Sequence, residues 1–343
     1  MDGLDVLRRH GHLPGLAELG MALSDLFGER PTASLRRADS LADASSVLRL
    51  NVDVGGMERT LIAKRHRQPA AHRNALAVRR WLPAIGLRQA APRILTTAAD
   101  RDGRCVWHVY EDLGERTVAA APELAVLSAT VSLLAAMHTR FERHPLLAEC
   151  REWGRDLGAA FYRVSVGDSI RCVEALSPTR LDGSRGGLSL KHALLERLWR
   201  LRDEEPERTG AITELGGPET FLHGDLWPEN VAVVGGGVRL LDWDRAGVGP
   251  VGYDVSTLLN RLREEDREAV LELYEHAVAG VGWQLPARPE LDYLFVTFEL
   301  ARRASAVLWA ALALSEDRHA GWAREELSMA PDWLALDRIL AAR

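Results

Sequence analysis

Lysine is almost absent from this chain of 343 residues, which has only two lysines, Lys64 and Lys191, among its 43 lysines and arginines. Every other basic residue of these two types is arginine. A position that keeps lysine in so arginine-rich a chain is expected to need a compact ammonium group rather than a planar guanidinium. Lys64 is therefore a candidate functional residue.

Other shortages exclude whole classes of protein. A net charge of −6 argues against a nucleic-acid partner. The three cysteines, Cys105, Cys150 and Cys172, lack metal-ligand spacing and suit a reducing compartment. No signal-peptide core opens the sequence, and the most apolar segments, 124–137 and 304–314, are shorter than the roughly 18–20 residues of a membrane span. We expect a cytoplasmic monomer or homodimer with no membrane partner.

Hydrophobic residues, by contrast, make up 47% of the chain, enough for a large core. In the first 115 residues, alternating apolar and polar side chains predict strands, and Lys64 falls near the end of the second strand of a hairpin. We predict a small antiparallel sheet with one inserted helix. The predicted elements are strands at 45–54, 60–66, 91–99 and 104–113 and a helix at 70–87.

The remainder of the chain is mainly helical in pattern. Residues 122–142 form a long apolar helix that Pro122 can begin. A second hairpin, at 231–234 and 238–241, interrupts the helical pattern, which resumes from 252. The fold class is therefore α+β, and the predicted domains are a helical segment at 1–30, a β-rich lobe at 31–115 and a mainly helical lobe at 116–343.

Polar residues with a distinctive spacing surround the second hairpin. Asn230 precedes its first strand and Asp242 follows its second, so strand pairing brings the amide and the carboxylate together. These hard oxygen ligands suit Mg²⁺. Asp225, on the preceding loop, could orient a hydroxyl group and accept its proton. This combination is what phosphoryl transfer requires of a protein.

Two motifs here resemble those of kinases. "HGDLWPEN", 223–230, resembles the kinase catalytic loop, and "LLDWD", 240–244, resembles the metal-binding segment. Gly in place of Arg, and "DW" in place of "DF", mark the aminoglycoside phosphotransferase and choline kinase branch, which phosphorylates small molecules. The resemblance covers roughly residues 30–260. It implies a two-lobed protein-kinase-like fold, with a small antiparallel β N-lobe that binds nucleotide and a larger helical C-lobe.

The resemblance also implies roles for individual residues. Asp225 resembles the catalytic base, and Asn230 and Asp242 resemble the Mg²⁺ ligands. Lys64 is similar to the lysine that holds the nucleotide phosphates. The supporting residues are His223, which would stabilise the loop, Asp244, which would assist near the metal, and Asp254, which would brace the catalytic loop.

The hinge that binds the adenine or guanine edge is implied at "YEDL", through backbone groups of Glu111 and Leu113. Two features depart from the family pattern. The expected phosphate-covering loop, near 36–46, has no glycine, and 65–99 has no acid to pair with Lys64; the expected slot is Asn74 or Ala75. Another carboxylate could reach Lys64, the nucleotide alone could hold it, or the site could be inactive.

The predicted reaction moves the γ-phosphoryl group of ATP or GTP to a hydroxyl of a small-molecule acceptor. Trp227 stands where protein kinases carry lysine, which favours a small acceptor, and the helical insertion at about 145–215 would help to bind it. The leading acceptor is an antibiotic (an aminoglycoside, peptide, macrolide or nucleoside), as in antibiotic resistance. The alternatives are a metabolite kinase for choline, ethanolamine, homoserine or a sugar, and a pseudokinase that binds nucleotide without catalysis.

Acids late in the chain could bind the amines of a polycationic acceptor. They alternate with Arg302, Arg303 and Arg318, so a solvated charged face is the favoured interpretation. His138, on an apolar helix, is predicted to be a structural histidine. The acids concerned are Glu290, Asp292, Glu299, Glu316 and Asp317.

Overall fold

A computed structural model describes residues 1–28, 33–41, 46–120, 122–317 and 319–340, without the side chains of 182–185. The chain forms two compact units. Unit 1 comprises Met1–Leu133 and Glu229–Ala246, and unit 2 comprises Leu134–Pro228 and Gly247–Arg343.

Unit 1 is built on a five-stranded antiparallel sheet in the order β1-β2-β3-β5-β4. Its strands are β1 (Ala33–Ser40), β2 (Val47–Val54), β3 (Met57–His66), β4 (Ile94–Ala99) and β5 (Val106–Glu111). The sequence predicted the last four and the helix inserted after β3. It did not predict β1, whose pattern of burial is less regular than that of β2.

The sheet has two unlike faces because successive side chains of a strand point in opposite directions. On one face, Leu48, Leu50 and Val52 of β2 are fully buried against the same core as Leu19 and Leu23 of α1 (Leu16–Phe27). Each such leucine contributes roughly 1.5–3 kcal/mol by leaving water. The other face carries the polar side chains of a cavity described below.

The inserted helix lies between β3 and β4. It runs as α2 (Gln68–Leu76), a π-helical turn at Ala77–Trp81 and α3 (Leu82–Ala84), and Gly86, at φ 75°, follows it. The predicted phosphate-covering loop, 36–46, differs from expectation because its first five residues belong to β1. Residues 42–45 of that loop lie outside the described residues.

Unit 1 also contains the second predicted hairpin. Strands β8 (Val231–Val234) and β9 (Gly237–Leu240) pair antiparallel, with Val231 opposite Leu240. This register sets Asn230 beside Leu241, whose N–H donates to the Asn230 carbonyl at 2.7 Å. A short 3₁₀ turn, Trp243–Arg245, follows Asp242.

Unit 2 is mainly helical. Its small three-stranded sheet has the order β6-β10-β7, with the strand ranges given below. In its helical part, the long helix α11 (Arg288–Ser315) is central and packs against α6, α8, α9 and α12. The strands are β6 (Arg155–Asp156), β7 (Glu219–Leu222) and β10 (Gly247–Pro250). The helices are α5 (Leu147–Trp153), α6 (Ala159–Ala175), α7 (Pro178–Asp203), α8 (Glu205–Leu215), α9 (Gly252–Leu259), α10 (Glu264–Ala279), α11 (Arg288–Ser315) and α12 (Ala320–Trp333).

Helix α4 (Leu124–Phe141) belongs to unit 1 at its start and to unit 2 at its end. It has 18 residues, within the predicted helix at 122–142. It is long and apolar enough to cross a membrane, so the expectation that its apolar segment, 124–137, is too short was wrong. Length and composition are weak evidence for a membrane span, because the core helices of soluble proteins have the same properties. Within the described residues, 44% of this helix is buried inside the protein.

Candidate active site

A cavity of about 270 Å³ lies within unit 1, on the polar face of the sheet. Strand alternation places Ile62, Lys64 and His66 of β3 on this face, and Lys64 is paired directly with His108 of β5. The other lining residues include the apolar Val47, Val78, Leu113 and Leu241 and the polar Asn74, Tyr110, Glu111, Asn230 and Asp242. An apolar slot with a few polar groups at one end is typical of a small-molecule site.

Lys64 has carboxylate partners, although helix α2 offers none. Its Nζ lies 2.5 Å from Oδ1 of Asp242 and 3.5 Å from Oδ2 of Asp244. Burial disfavours the ammonium ion, but the two carboxylates outweigh it, so the pKa of Lys64 is raised. Lys64 therefore remains a cation, held by acids 178 and 180 positions further along the chain rather than by an acid on the inserted helix.

The candidate metal ligands line the same cavity. Asn230 supplies an amide oxygen and Asp242 a carboxylate, and Asp244 adds a second carboxylate nearby. Hard oxygens of this kind fit Mg²⁺. Asp242 adopts a left-handed backbone conformation, φ 62°, which non-glycine residues rarely adopt and which recurs at functional sites. In the described residues, no group of three His, Cys, Asp or Glu side chains forms a protein-only metal cage.

Behind Lys64 lies a buried polar cluster that sequence reasoning did not find. Nδ1 of His66 lies 2.9 Å from Oδ1 of Asp244, and its Nε2 lies 3.2 Å from the hydroxyl of Tyr110. Asn74 donates to that hydroxyl at 2.6 Å and contacts Nδ1 of His108 at 3.0 Å. The sequence did carry a signal for this cluster. Lys64 and His66 on β3, like His108 and Tyr110 on β5, are two residues apart, so each pair lies on the same face of the sheet.

At the predicted hinge, Glu111 and Leu113 both line the cavity. The Glu111 carboxylate accepts a hydrogen bond from the Arg93 N–H at 3.0 Å and an ion-pair contact from Arg239 at 2.6 Å. The Glu111 N–H donates to the Arg93 carbonyl at 3.4 Å. The side chain is thus engaged within the protein.

Residues 223–228 of the predicted catalytic loop belong to unit 2. Gly224 adopts φ 80°, which glycine tolerates best, and this turn lets two successive N–H groups point at Asp254. The His223 N–H donates to Oδ2 of Asp254 at 2.7 Å and the Gly224 N–H donates to Oδ1 at 2.9 Å. The Asp225 N–H donates to Nδ1 of His223 at 3.2 Å. Asp225 is half-buried.

Asp254 is fully buried near the start of α9, where Val251, not Asp254, is the N-cap residue. Nε2 of His138 lies 3.4 Å from its Oδ2, and Nδ1 of His138 lies 2.8 Å from the hydroxyl of Tyr274. Burial opposes ionisation, but His138 and the loop N–H groups more than offset it and lower the pKa of Asp254. His138 is thus a buried structural histidine that helps to fix the loop.

Near Asp225 in the chain, Trp227 is 41% exposed. The guanidinium carbon of Arg261 lies 3.9 Å from the centre of its ring, a cation–π contact. Arg261 also pairs with the buried Glu299 of α11 at 3.2 Å. Arg302 and Arg303 contact the same carboxylate, at 2.6 and 3.3 Å. Sequence reasoning did not predict that three arginines share this acid.

Comparison with solved structures supports the fold. A spectinomycin phosphotransferase solved with ADP and spectinomycin is 10% identical, with a TM-score of 0.59, and the match covers 88% of this chain and 92% of that one. An aminoglycoside phosphotransferase from Streptomyces rimosus, solved with ADP and streptomycin, is 17% identical, with a TM-score of 0.54 and coverage of 83% and 98%. A choline kinase from Streptococcus pneumoniae is 14% identical, with a TM-score of 0.54 and coverage of 88% and 94%.

Among curated protein sequences, none matches this chain. The sequence profile described as the phosphotransferase enzyme family matches residues 34–294, which is most of the chain. The predicted α+β, two-lobed protein-kinase-like fold class is confirmed. The chain belongs to the phosphotransferase enzyme family.

Proposed function

We propose that this protein transfers the γ-phosphoryl group of ATP or GTP to a hydroxyl group of a small molecule. One observation carries the proposal: Lys64, Asn230 and Asp242 line a single cavity of unit 1, together with an apolar slot. Nucleotide-dependent phosphoryl transfer requires a cation that binds phosphate oxygens, hard oxygen ligands for a metal ion and a slot for the nucleobase. Related structures were solved with ADP, which is consistent with a nucleotide co-substrate.

Each part of the site has a proposed role. Lys64 binds phosphate oxygens, and the hinge at Glu111 and Leu113 binds the purine edge. Asn230 and Asp242 would hold Mg²⁺, which supplies charge neutralisation at the phosphates when it is bound. Asp225 orients the acceptor hydroxyl and accepts its proton as the oxygen attacks phosphorus, and the β–γ bridging oxygen leaves with the nucleoside diphosphate.

For the acceptor, we propose a hydroxylated antibiotic that is not a polycation. Four of the five late acids that could bind amines already contact groups of the chain. Their partners are the Ala287 N–H for Glu290, the Ile339 and Leu340 N–H groups for Asp292, three arginines for Glu299 and Arg180 for Asp317. An aminoglycoside would have to displace these contacts, whereas a neutral macrolide, peptide or nucleoside would not.

The test is mass spectrometry of pooled hydroxylated compounds after incubation with the protein, Mg-ATP and Mg-GTP. The pools are neutral antibiotics, aminoglycosides, and metabolites such as choline, homoserine and sugars. Asp225→Ala runs beside the wild type. We expect one neutral antibiotic to gain a phosphoryl group with wild type only. A phosphorylated aminoglycoside would overturn the charge argument, and a phosphorylated metabolite would favour the alternative of a metabolite kinase.

A pseudokinase gives a different result. It would bind nucleotide in a Mg²⁺-dependent manner by calorimetry, yet phosphorylate nothing in any pool. The absence of an acid on α2 first suggested this alternative, and the contacts of Lys64 with Asp242 and Asp244 weaken it. Absence of both binding and turnover would contradict the proposed function altogether.

A further inference from the structure

The polar cluster behind Lys64 lies wholly within unit 1 and lines the nucleotide cavity. His66, Asn74 and Tyr110 all border the cavity. They are nevertheless almost fully shielded from solvent: the exposed fractions are 3% for His66, 2% for Asn74, 1% for His108 and 7% for Tyr110. Buried polar groups that satisfy one another hold a fixed geometry, because each lost hydrogen bond leaves a partner unsatisfied.

The positions of the protons follow from the partners. Burial lowers the pKa of His108 to about 3, so this imidazole is neutral, and its Nδ1 accepts from Asn74. Burial raises the pKa of Tyr110, so its hydroxyl keeps its proton. Nε2 of His66 contacts that hydroxyl at 3.2 Å. An ionised carboxylate only accepts hydrogen bonds, so Nδ1 of His66 carries the hydrogen and donates to Asp244.

Asp244 is therefore held from behind while it faces Lys64. Its backbone carbonyl also accepts a hydrogen bond from Arg73 of α2. Burial opposes ionisation of Asp244, but the His66 hydrogen bond and the Lys64 charge lower its pKa to about 2. Helix α2 thus reaches Asp244 in two ways: Arg73 donates to its backbone carbonyl, and Asn74, Tyr110 and His66 in sequence lead to its carboxylate.

We propose that His66 and Asn74 are positioning residues that hold Asp244 against Lys64, in place of the acid that helix α2 lacks. This inference rests on the proposed function, because it explains how Lys64 is set for the nucleotide phosphates. Asn74 is one of the two positions, with Ala75, where the family resemblance leads one to expect that acid. The helix keeps its link to Lys64, but the carboxylate comes from the segment after β9.

The test compares His66→Leu, which removes both ring nitrogens, with His66→Asn, whose amide can replace the Nδ1 donor. In His66→Leu we expect a weaker Kd for Mg-ATP by calorimetry and a loss on the order of 10–100-fold in kcat/KM for ATP. His66→Asn should recover much of the loss. The matched control is His10→Leu, because His10 makes one hydrogen bond, to the Ala38 carbonyl at 3.1 Å, on β1 at the edge of the sheet.

A double-mutant cycle with Asp244→Asn identifies the route. If His66 acts through Asp244, adding His66→Leu to Asp244→Asn should cost little more in Kd or kcat/KM. Additive losses in the double mutant would overturn the inference. So would a loss in His66→Leu that is no larger than the loss in His10→Leu, with both variants measured well below their Tm values. Wild-type protein that binds neither Mg-ATP nor Mg-GTP would instead contradict the proposed function, so the two failures are distinguishable; if only Mg-GTP binds, the same comparison is made with Mg-GTP.

Discussion

The residues of the site differ in how firmly their neighbours fix them. Asp254 is fully buried and accepts two N–H groups of the catalytic loop, whereas Asp225 is half-buried at the point where that loop turns. Lys64 contacts two acids, which raise its pKa although burial opposes the charge. The proposed base, Asp225, thus lies on a braced loop, and the ammonium group of Lys64 is held within the cavity.

Replacement of Asp225 by Asn should lower kcat by about 10²–10⁴, because the amide cannot accept the hydroxyl proton. The Kd for Mg-ATP should change little, since the nucleotide cavity lies in unit 1. Steady-state kinetics and calorimetry measure the two quantities. Asp203→Asn, at an exposed residue at the end of α7, is the control. Equal kcat in both variants would remove Asp225 from the proposed role.

Replacement of Lys64 by Arg should lower kcat/KM for the nucleotide by about 10–100-fold. A guanidinium keeps the charge but is wider than the ammonium group, and displaced phosphates lose their alignment with the acceptor. Arg65→Lys is a matched control, because the next residue of β3 points to the other face of the sheet. Unaltered kinetics in Lys64→Arg would show that only charge matters here.

At the scale of elements, periodicity in the sequence predicted β2, β3, β4, β5 and the β8–β9 hairpin. It did not predict the short strands of unit 2. These carry little pattern of their own: β6 has two residues, and β10 pairs through Gly247, where a Cβ atom would lie 2.2 Å from the Arg155 carbonyl oxygen. Such strands form where tertiary packing brings backbones together, which a local pattern does not record.

The site shows the same division. Asp225, Asn230 and Asp242 share one stretch of sequence with a fixed spacing, so the sequence alone assigns each of them a role, which stays a prediction. The neighbours of Lys64 could not be predicted. Strand pairing places His108 of β5 beside it, and the fold of unit 1 brings the Asp244 carboxylate to it. Their pairing depends on contacts between residues far apart in sequence.

Helix α11 depends on one buried acid. Burial opposes the charge of Glu299, but Arg302, Arg261 and Arg303 lower its pKa from 4.5 to about 2. Glu299→Gln should reduce the free energy of unfolding by about 3–5 kcal/mol, because three guanidinium groups lose their shared counter-ion. Urea unfolding measures this. Glu265→Gln, in an exposed pair with Arg263, should have little effect, and equal effects of both would contradict the explanation.

The same acid makes stability depend on pH. A carboxyl group with a lowered folded pKa stabilises the folded state above its unfolded pKa of 4.5, and this contribution is lost as pH falls toward about 2. Its size is roughly 3 kcal/mol, at 1.36 kcal/mol per pKa unit. Between pH 5 and pH 3, Glu299→Gln should therefore lose less stability than wild type. Parallel slopes would assign the acid sensitivity to other groups.

At the scale of the whole molecule, the proposed nucleotide cavity belongs to unit 1, and residues 223–228 of the predicted catalytic loop belong to unit 2. A ligand stabilises the states that bind it, so it should lower local opening most strongly around the cavity. Unit 1 and unit 2 are therefore expected to respond unequally to nucleotide alone.

Hydrogen exchange should reveal this difference. Addition of Mg-ADP should slow amide exchange in β3 and β5 and at 111–114, with much smaller changes in α10 and α12. Lys64→Arg, measured at the same nucleotide concentration, should show weaker protection. Uniform protection of both units would show that nucleotide acts on global unfolding instead.

The near-absence of lysine has a practical consequence for covalent labelling. Lys191 donates to the carbonyl groups of Glu174 and Leu176 at 2.6 and 2.7 Å, at the C-terminal end of α6, and Lys64 lies in the proposed nucleotide cavity. Apart from the α-amino group, an amine-selective reagent therefore meets only two targets in the whole chain. A nucleotide bound in the cavity should shield one of these two amines, Lys64, from the reagent. The intact mass then records how many amines have reacted, and so measures the occupancy of the cavity.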